Sequence, residues 1–267
     1  VSLSKRHIEA VLFDLGETLL NFGRLDRAQL FNDAVRQSYH YLQGLSQPVG
    51  SYGAYRRLHI WGLRWHLLRS WITGDDFNSL ELLKSYGKKR GFVLSETQWE
   101  ELNWQWYRCL SPLGQVESGT ADALRQLHAM GLKVGLLSNT FVHKSSLERH
   151  LKDEGLLDLL TVRMYSYDFK FRKPDVRIFQ EAARQMGVAA EQAIYVGDRM
   201  DYDVKGSMAA GMLPVLKKAY TNKTLKIPKH LHRINTIDEL PGLIRRICEV
   251  PATPDASIKE QPVCKES

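Results

Sequence analysis

Cysteine is scarce in this chain: Cys109, Cys248 and Cys264 are far apart and odd in number. They supply neither a disulfide framework nor the spacing of a metal site, and they read as free thiols. No run approaches the ~18 unbroken apolar residues that a bilayer span needs, and the opening VSLSKRHIEA lacks the apolar core of a secretory signal. No membrane partner is therefore expected, and the cytoplasm is the default location. Blocks of like charge are missing as well. The formal net charge is +7, but the basic residues are spread through the chain and not gathered with aromatics, so nucleic acid is not expected as a partner. The densest basic stretch, Lys217 to Arg233, reads as a solvated loop. What is present is ordinary globular composition, 43% hydrophobic and 25% charged over 267 residues, enough for one sizeable core and a second smaller lobe.

Four short apolar runs, each closed by polar or turn residues, fit the buried strands of a parallel sheet: Ala10 to Leu15, Lys133 to Ser138, Thr161 to Ser166 and Ala193 to Gly197. Thr120 to Met130 carries helical apolar spacing and ends at Gly131, and Asp175 to Met186 does so between Pro174 and Gly187. Alternating strand and helix predict an α/β class: a Rossmann-like open parallel sheet with ligands at the carboxyl ends of its strands. Phe22 to Leu110 differs, being rich in long helical patterns. Leu58, Trp61, Trp65, Leu68 and Ile72 make an apolar stripe there, with Arg57 and Arg64 off it. This segment is expected to be an inserted helical domain, residues 22–111. Residues 1–21 and 112–250 then form the α/β core, with Pro112 and Gly114 marking the return, and His232 to Thr236 and Asp238 to Cys248 close it as a last strand and helix. Residues 251–267 are expected to be a flexible tail.

Four sites at predicted strand ends carry chemistry. Asp14 in FDLGET points a carboxylate into the ligand crevice, where it can act as a nucleophile. Ser138 in LLSNT offers a hydroxyl, followed by the backbone N–H groups from Asn139 onward, to phosphate oxygens. Lys173 in FRKPD stands just before a helix and can hold a carboxylate and an anion together. Asp198 and Asp203 in GDRMDYD supply the hard oxygen ligands that magnesium prefers, with Asp201 nearby.

In that order the four sites resemble the haloacid-dehalogenase-like hydrolase superfamily, over roughly Ala10 to Cys248. The resemblance implies a helical cap over the site and a nucleophile at Asp14. It also implies phosphate contacts from Ser138, Asn139 and Lys173, and a magnesium ion held by Asp14, Asp198, Asp203 and the backbone carbonyl of Gly16. The implied reaction is two-step hydrolysis of a small phosphorylated substrate through an aspartyl-phosphate. Arg24, Arg56, Arg57, Arg64, His66 and Arg69, in or near the cap, are candidates to meet an anionic substrate, and read more readily as its solvated, charged outer faces.

One position departs from the pattern. Phosphatases of the family carry a second Asp two residues after the nucleophile as general acid and base, and this chain has Gly16. Glu17 is adjacent, but a shift of one residue changes the direction of a side chain. Two other readings stay open for that reason. A 2-haloacid dehalogenase needs no proton for its leaving halide, although such enzymes work without metal and this chain retains the acidic pair. A non-catalytic pseudo-phosphatase would bind a phosphorylated ligand or partner.

Overall fold

The computed structural model describes residues 7–249; the expected tail and Cys264 lie outside them. A six-stranded parallel sheet, ordered β3-β2-β1-β4-β5-β6, forms the core. Its first strand β1 (Ala10–Phe13) is followed by the helical segment α1 (Arg27–Gly44), α2 (Tyr52–Thr73), α3 (Ser79–Lys88) and α4 (Glu96–Tyr107). The core then resumes with α5 (Thr120–Ala129), β2 (Lys133–Ser138), α6 (Lys144–Asp153), β3 (Val162–Tyr165) and α7 (Val176–Met186). It ends with β4 (Ala193–Gly197), the short α8 (Lys205–Ala209), β5 (Leu213–Lys217), β6 (His232–Ile234) and α9 (Leu240–Glu249).

The strands are apolar on both faces because helices cover both. Val11, Phe13, Val134, Leu136, Ile194 and Val196 pack with Leu124 and Leu127 of α5, Leu147 of α6 and Ile244 of α9. The alternate residues Ala10, Leu12, Leu137, Ala193 and Tyr195 pack with Ile178, Phe179 and Met186 of α7. This period of two is what a parallel sheet buried between helix layers requires. Gly135 of β2 admits no side chain: a Cβ there would lie 2.9 Å from Met186 Sδ and 3.1 Å from the Val162 carbonyl.

The four predicted core strands and the final strand and helix are present, two of the strands with the predicted ends and the other elements with ends shifted by one or two residues. The sequence reading passes over β5, which carries Pro214.

The helices α1 to α4 bury a cluster of their own, with Val35, Tyr39, Leu42, Tyr55, Leu80, Trp99 and Leu102. The chain leaves the sheet and returns to it side by side, since the Asn21 N–H donates to the Gln115 carbonyl (2.9 Å) and the Gln115 N–H to that of Asn21 (3.0 Å). Gly114 makes this crossing possible, because a Cβ there would sit 2.4 Å from the Phe22 ring. The apolar stripe of α2 is real but faces outward: Trp61, Trp65, Leu68 and Ile72 are exposed, while the buried side of the helix carries Tyr55, His59 and Ser70.

Candidate active site

Parallel register places the site residues. Phe13 of β1 is level with Leu136 of β2 and Val196 of β4, so Asp14 emerges beside Leu137 and Gly197, with Ser138 and Asp198 one step further along. The Asp14 N–H donates to the Val196 carbonyl at 2.8 Å, which anchors the residue where the strand ends.

Lys173 ties the site together. Its buried ammonium donates to Asp14 Oδ1 and Asp203 Oδ1, each at 2.7 Å, and to the Tyr195 hydroxyl at 2.8 Å. Tyr195 donates in turn to the Leu137 carbonyl at 3.0 Å. The Lys173 backbone is clasped by Asn139, whose amide donates to the Lys173 carbonyl (2.8 Å) and accepts from its N–H (2.9 Å). The Asn139 side chain is thus committed to holding Lys173.

Asp203 reaches the same centre from a widened turn, Met200–Val204, in which the Val204 N–H donates back five residues to the Arg199 carbonyl (3.1 Å). Such turns concentrate at functional sites. The Arg199 N–H also donates to Asp203 Oδ2 at 2.9 Å, and Gly197 leaves room, since a Cβ there would lie 2.4 Å from Asp203 Cγ. Asp201 instead pairs with the Arg199 guanidinium at 3.0 Å, outside the cluster.

Asp14, Asp198 and Asp203 each bring a carboxylate oxygen within 4.8 Å of the others. One lysine does not balance three buried carboxylates. Burial pushes Asp14 up to about 6, with Asp203 adding to the rise and Lys173 opposing it. Burial, and then the charge of Asp14, push Asp198 up to about 7. Burial opposes the charge on Lys173 as well, but Asp14 and Asp203 overcome it and hold the ammonium well above its usual range. An all-oxygen donor set with excess negative charge fits a hard divalent cation such as magnesium.

Several residues of this environment were not singled out from the sequence. The Thr221 hydroxyl donates to Asp198 Oδ2, and the Asn222 amide donates at 2.8 Å to the carbonyls of both Asp198 and Lys217. Both lie in the basic stretch that reads as a solvated loop. Lys217 itself is buried, bonding Glu117 (2.8 Å), Asn21 (3.1 Å) and the Glu17 carbonyl (3.4 Å). Tyr195 had one available signal, a hydroxyl within an otherwise apolar strand. Arg172 meets Asp76 at 2.6 Å, and the Ser166 hydroxyl also donates to Asp76; residues so distant in sequence give no local signal.

Glu17 is not aimed at this centre. Its backbone has φ +59°, and its carboxylate accepts from the N–H groups of Phe22 (2.9 Å) and Gly23 (3.0 Å).

A family model described as haloacid dehalogenase-like hydrolase matches residues 8–211. A glyceraldehyde 3-phosphate phosphatase of Methanopyrus kandleri is 38% identical over 92 residues, 34% of this chain and 39% of that protein. The match thus spans well under two thirds of that relative. A 2-haloacid dehalogenase structure from Pseudomonas syringae pv. Tomato has a TM-score of 0.60 at 22% identity, covering 90% of this chain and 99% of its own. A HAD phosphatase structure from Thermococcus onnurineus has a TM-score of 0.55 at 23% identity, with coverages of 89% and 98%. At these identities the two structures speak for the fold.

Proposed function

The chain belongs to the haloacid dehalogenase-like hydrolase family, and from that premise we propose that it is a magnesium-dependent phosphatase acting on a small phosphorylated metabolite through Asp14. One observation carries the reading: three buried carboxylates, Asp14, Asp198 and Asp203, cluster around one lysine, which pairs with Asp14 and Asp203 only. That excess charge suits a metal-assisted phosphatase and is superfluous in a dehalogenase that works without metal.

In this reading Asp14, Asp198, Asp203 and the Gly16 carbonyl hold the cation, which supplies charge neutralisation for phosphate oxygens. A carboxylate oxygen of Asp14 attacks phosphorus, the substrate oxygen departs with the bonding pair, and water then attacks phosphorus to free Asp14 and phosphate. Lys173 orients Asp14 and faces the equatorial oxygens, whose stabilisation dominates phosphoryl transfer. Ser138 and the Asn139 N–H bind the same oxygens. Residues 22–111 act as a cap that selects the substrate. Support comes from where they touch the core: the Ser79 N–H donates to the Phe141 carbonyl (2.8 Å), Phe77 stacks on Phe141, and Asp76 meets Arg172 next to Lys173.

Phosphate release from a panel of phosphometabolites, with and without magnesium, tests the proposal. Turnover should need the cation and vanish in Asp14→Asn. Full turnover in excess chelator, together with halide release from a 2-haloacid, would establish dehalogenation instead.

A further inference from the structure

The longest helix among the described residues presents an arc that no other described residue covers. On α2, Tyr55, His59 and Ser70 face inward, and Gly62 lies so close to α3 that a Cβ would come within 2.9 Å of the Tyr86 ring. At 100° per residue the opposite arc carries Trp61, Trp65, Leu68 and Ile72, together with Arg57, Arg64 and Trp71, and Arg69 flanks it. Trp61, Trp65, Trp71 and Ile72 are 67, 64, 77 and 69% exposed. Three tryptophans so placed leave on the order of 400 Å² of indole surface. With Leu67, Leu68 and Ile72 added, the arc exceeds the largest patch of an ordinary monomer, roughly 300–600 Å².

Its charge narrows the occupant. The 22 residues of α2 include Arg56, Arg57, Arg64 and Arg69 and neither Asp nor Glu. The next acids, Asp75 and Asp76, lie beyond Gly74, and Asp76 is engaged by Arg172. A second copy of the chain, packed about a two-fold axis, would set arginine against arginine with no acid between them. The exposed side of a single helix about 33 Å long also offers no groove for a peptide.

Indole rings among arginines suit an anionic lipid surface, where tryptophan sits at headgroup depth and guanidinium groups meet phosphate and carboxylate. The Arg64 guanidinium already lies 5.7 Å from the centre of the Trp61 ring, which brings a cation and an indole to the same height. We propose that the exposed arc of α2 docks this protein reversibly on anionic membrane surfaces. Lying on a surface does not require spanning it, and among the described residues no helix is long and apolar enough to cross a membrane.

The full chain should co-sediment with vesicles containing about a third phosphatidylserine, hardly bind phosphatidylcholine alone, and be released by salt. Joint replacement of Trp61, Trp65 and Trp71 by Gln should abolish binding. Joint replacement of Arg57, Arg64 and Arg69 by Gln should weaken it roughly a hundredfold. Circular dichroism melts monitor folding of both variants, whose altered side chains are solvent-exposed. Absence of binding to anionic vesicles, or binding that neither triple variant reduces, would overturn the proposal. So would a dimer in sedimentation equilibrium that the tryptophan variant dissociates while vesicle binding is absent, since the arc would then be a self-interface.

Discussion

Gly16 occupies the place of the family's general acid, and a Cβ added there would meet no atom within 4 Å. Its φ is not positive, so a side chain is tolerated by the backbone as well. General acid catalysis contributes on the order of 10² to 10⁴ in rate, so esters of poorly acidic alcohols should turn over slowly, whereas aryl and acyl phosphates, which depart as stable anions, should suffer less. Gly16→Asp should raise alkyl-phosphate turnover by about 10² or more and aryl-phosphate turnover far less. Glu17→Gln should leave the alkyl-to-aryl ratio unchanged, because the Glu17 carboxylate is spent on Phe22 and Gly23. Steady-state kinetics on paired ester series decides both.

Asp14 and Asp198 titrate near about 6 and about 7 when folded, against 3.8 for a free Asp. The folded chain therefore binds their protons more tightly than the unfolded chain. This contribution to stability is complete below the unfolded value and is lost as pH rises through the folded values. In chelator these two groups should lower the melting temperature progressively between about pH 4 and about pH 7. Asp198→Asn should flatten that slope, and magnesium should raise the melting temperature most at the alkaline end.

At the scale of elements, what was legible was whatever the chain encodes locally. β1, β2, β3 and β4 announce themselves as apolar runs, and Asp14, Ser138 and Asp198 sit at or just past strand ends, where short motifs survive reading in one dimension. β5 is concealed by Pro214, a residue that argues against a central strand, although β5 pairs with both β4 and β6. The loop after β5 looked like solvated basic chain because lysines dominate it, and the contacts that matter are made by two uncharged residues within it. Asn222 is buried, and its amide holds the Asp198 and Lys217 carbonyls. Asn222→Ala should cost about 1–3 kcal/mol by stranding those acceptors. Thr221→Val removes only the donor to Asp198 and should alter cation affinity with a smaller loss of stability. Thermal melts and calorimetric magnesium titrations separate the two effects. The α2 stripe shows the opposite limit: three-four spacing marks an apolar arc but carries no information on which way the arc faces.

For the whole molecule, the question is how the helical segment is held to the sheet. Besides the backbone bridge between Asn21 and Gln115 and the contacts of Phe77 and Ser79 with Phe141, two further sets of contacts cross between them. One joins α4 to α6 through Asn103 and Ser146 (2.6 Å) and through Tyr107 and His150 (2.8 Å). The other centres on Asp76, which accepts from Arg172, Ser70 and Ser166. This second set lies at the carboxyl edge of the sheet and is built on the residue preceding Lys173, so it couples the position of the helical segment to Lys173. Asp76→Ala would leave Arg172 without its carboxylate while the α4–α6 contacts remain. Because Arg172 is only partly buried, the expected loss is about 2 kcal/mol, below that for a fully buried pair. A double-mutant cycle with Arg172→Ala should return a coupling of about 1–2 kcal/mol. Hydrogen exchange should show the amides around Ser79 and Phe141 losing protection together, while those around Trp99 in the helical core keep theirs. If residues 22–111 work as a cap, kcat/KM for good phosphoryl donors should fall with this loss of protection. If the segment is merely a rigid appendage, stability will drop and kcat/KM for the folded protein will not.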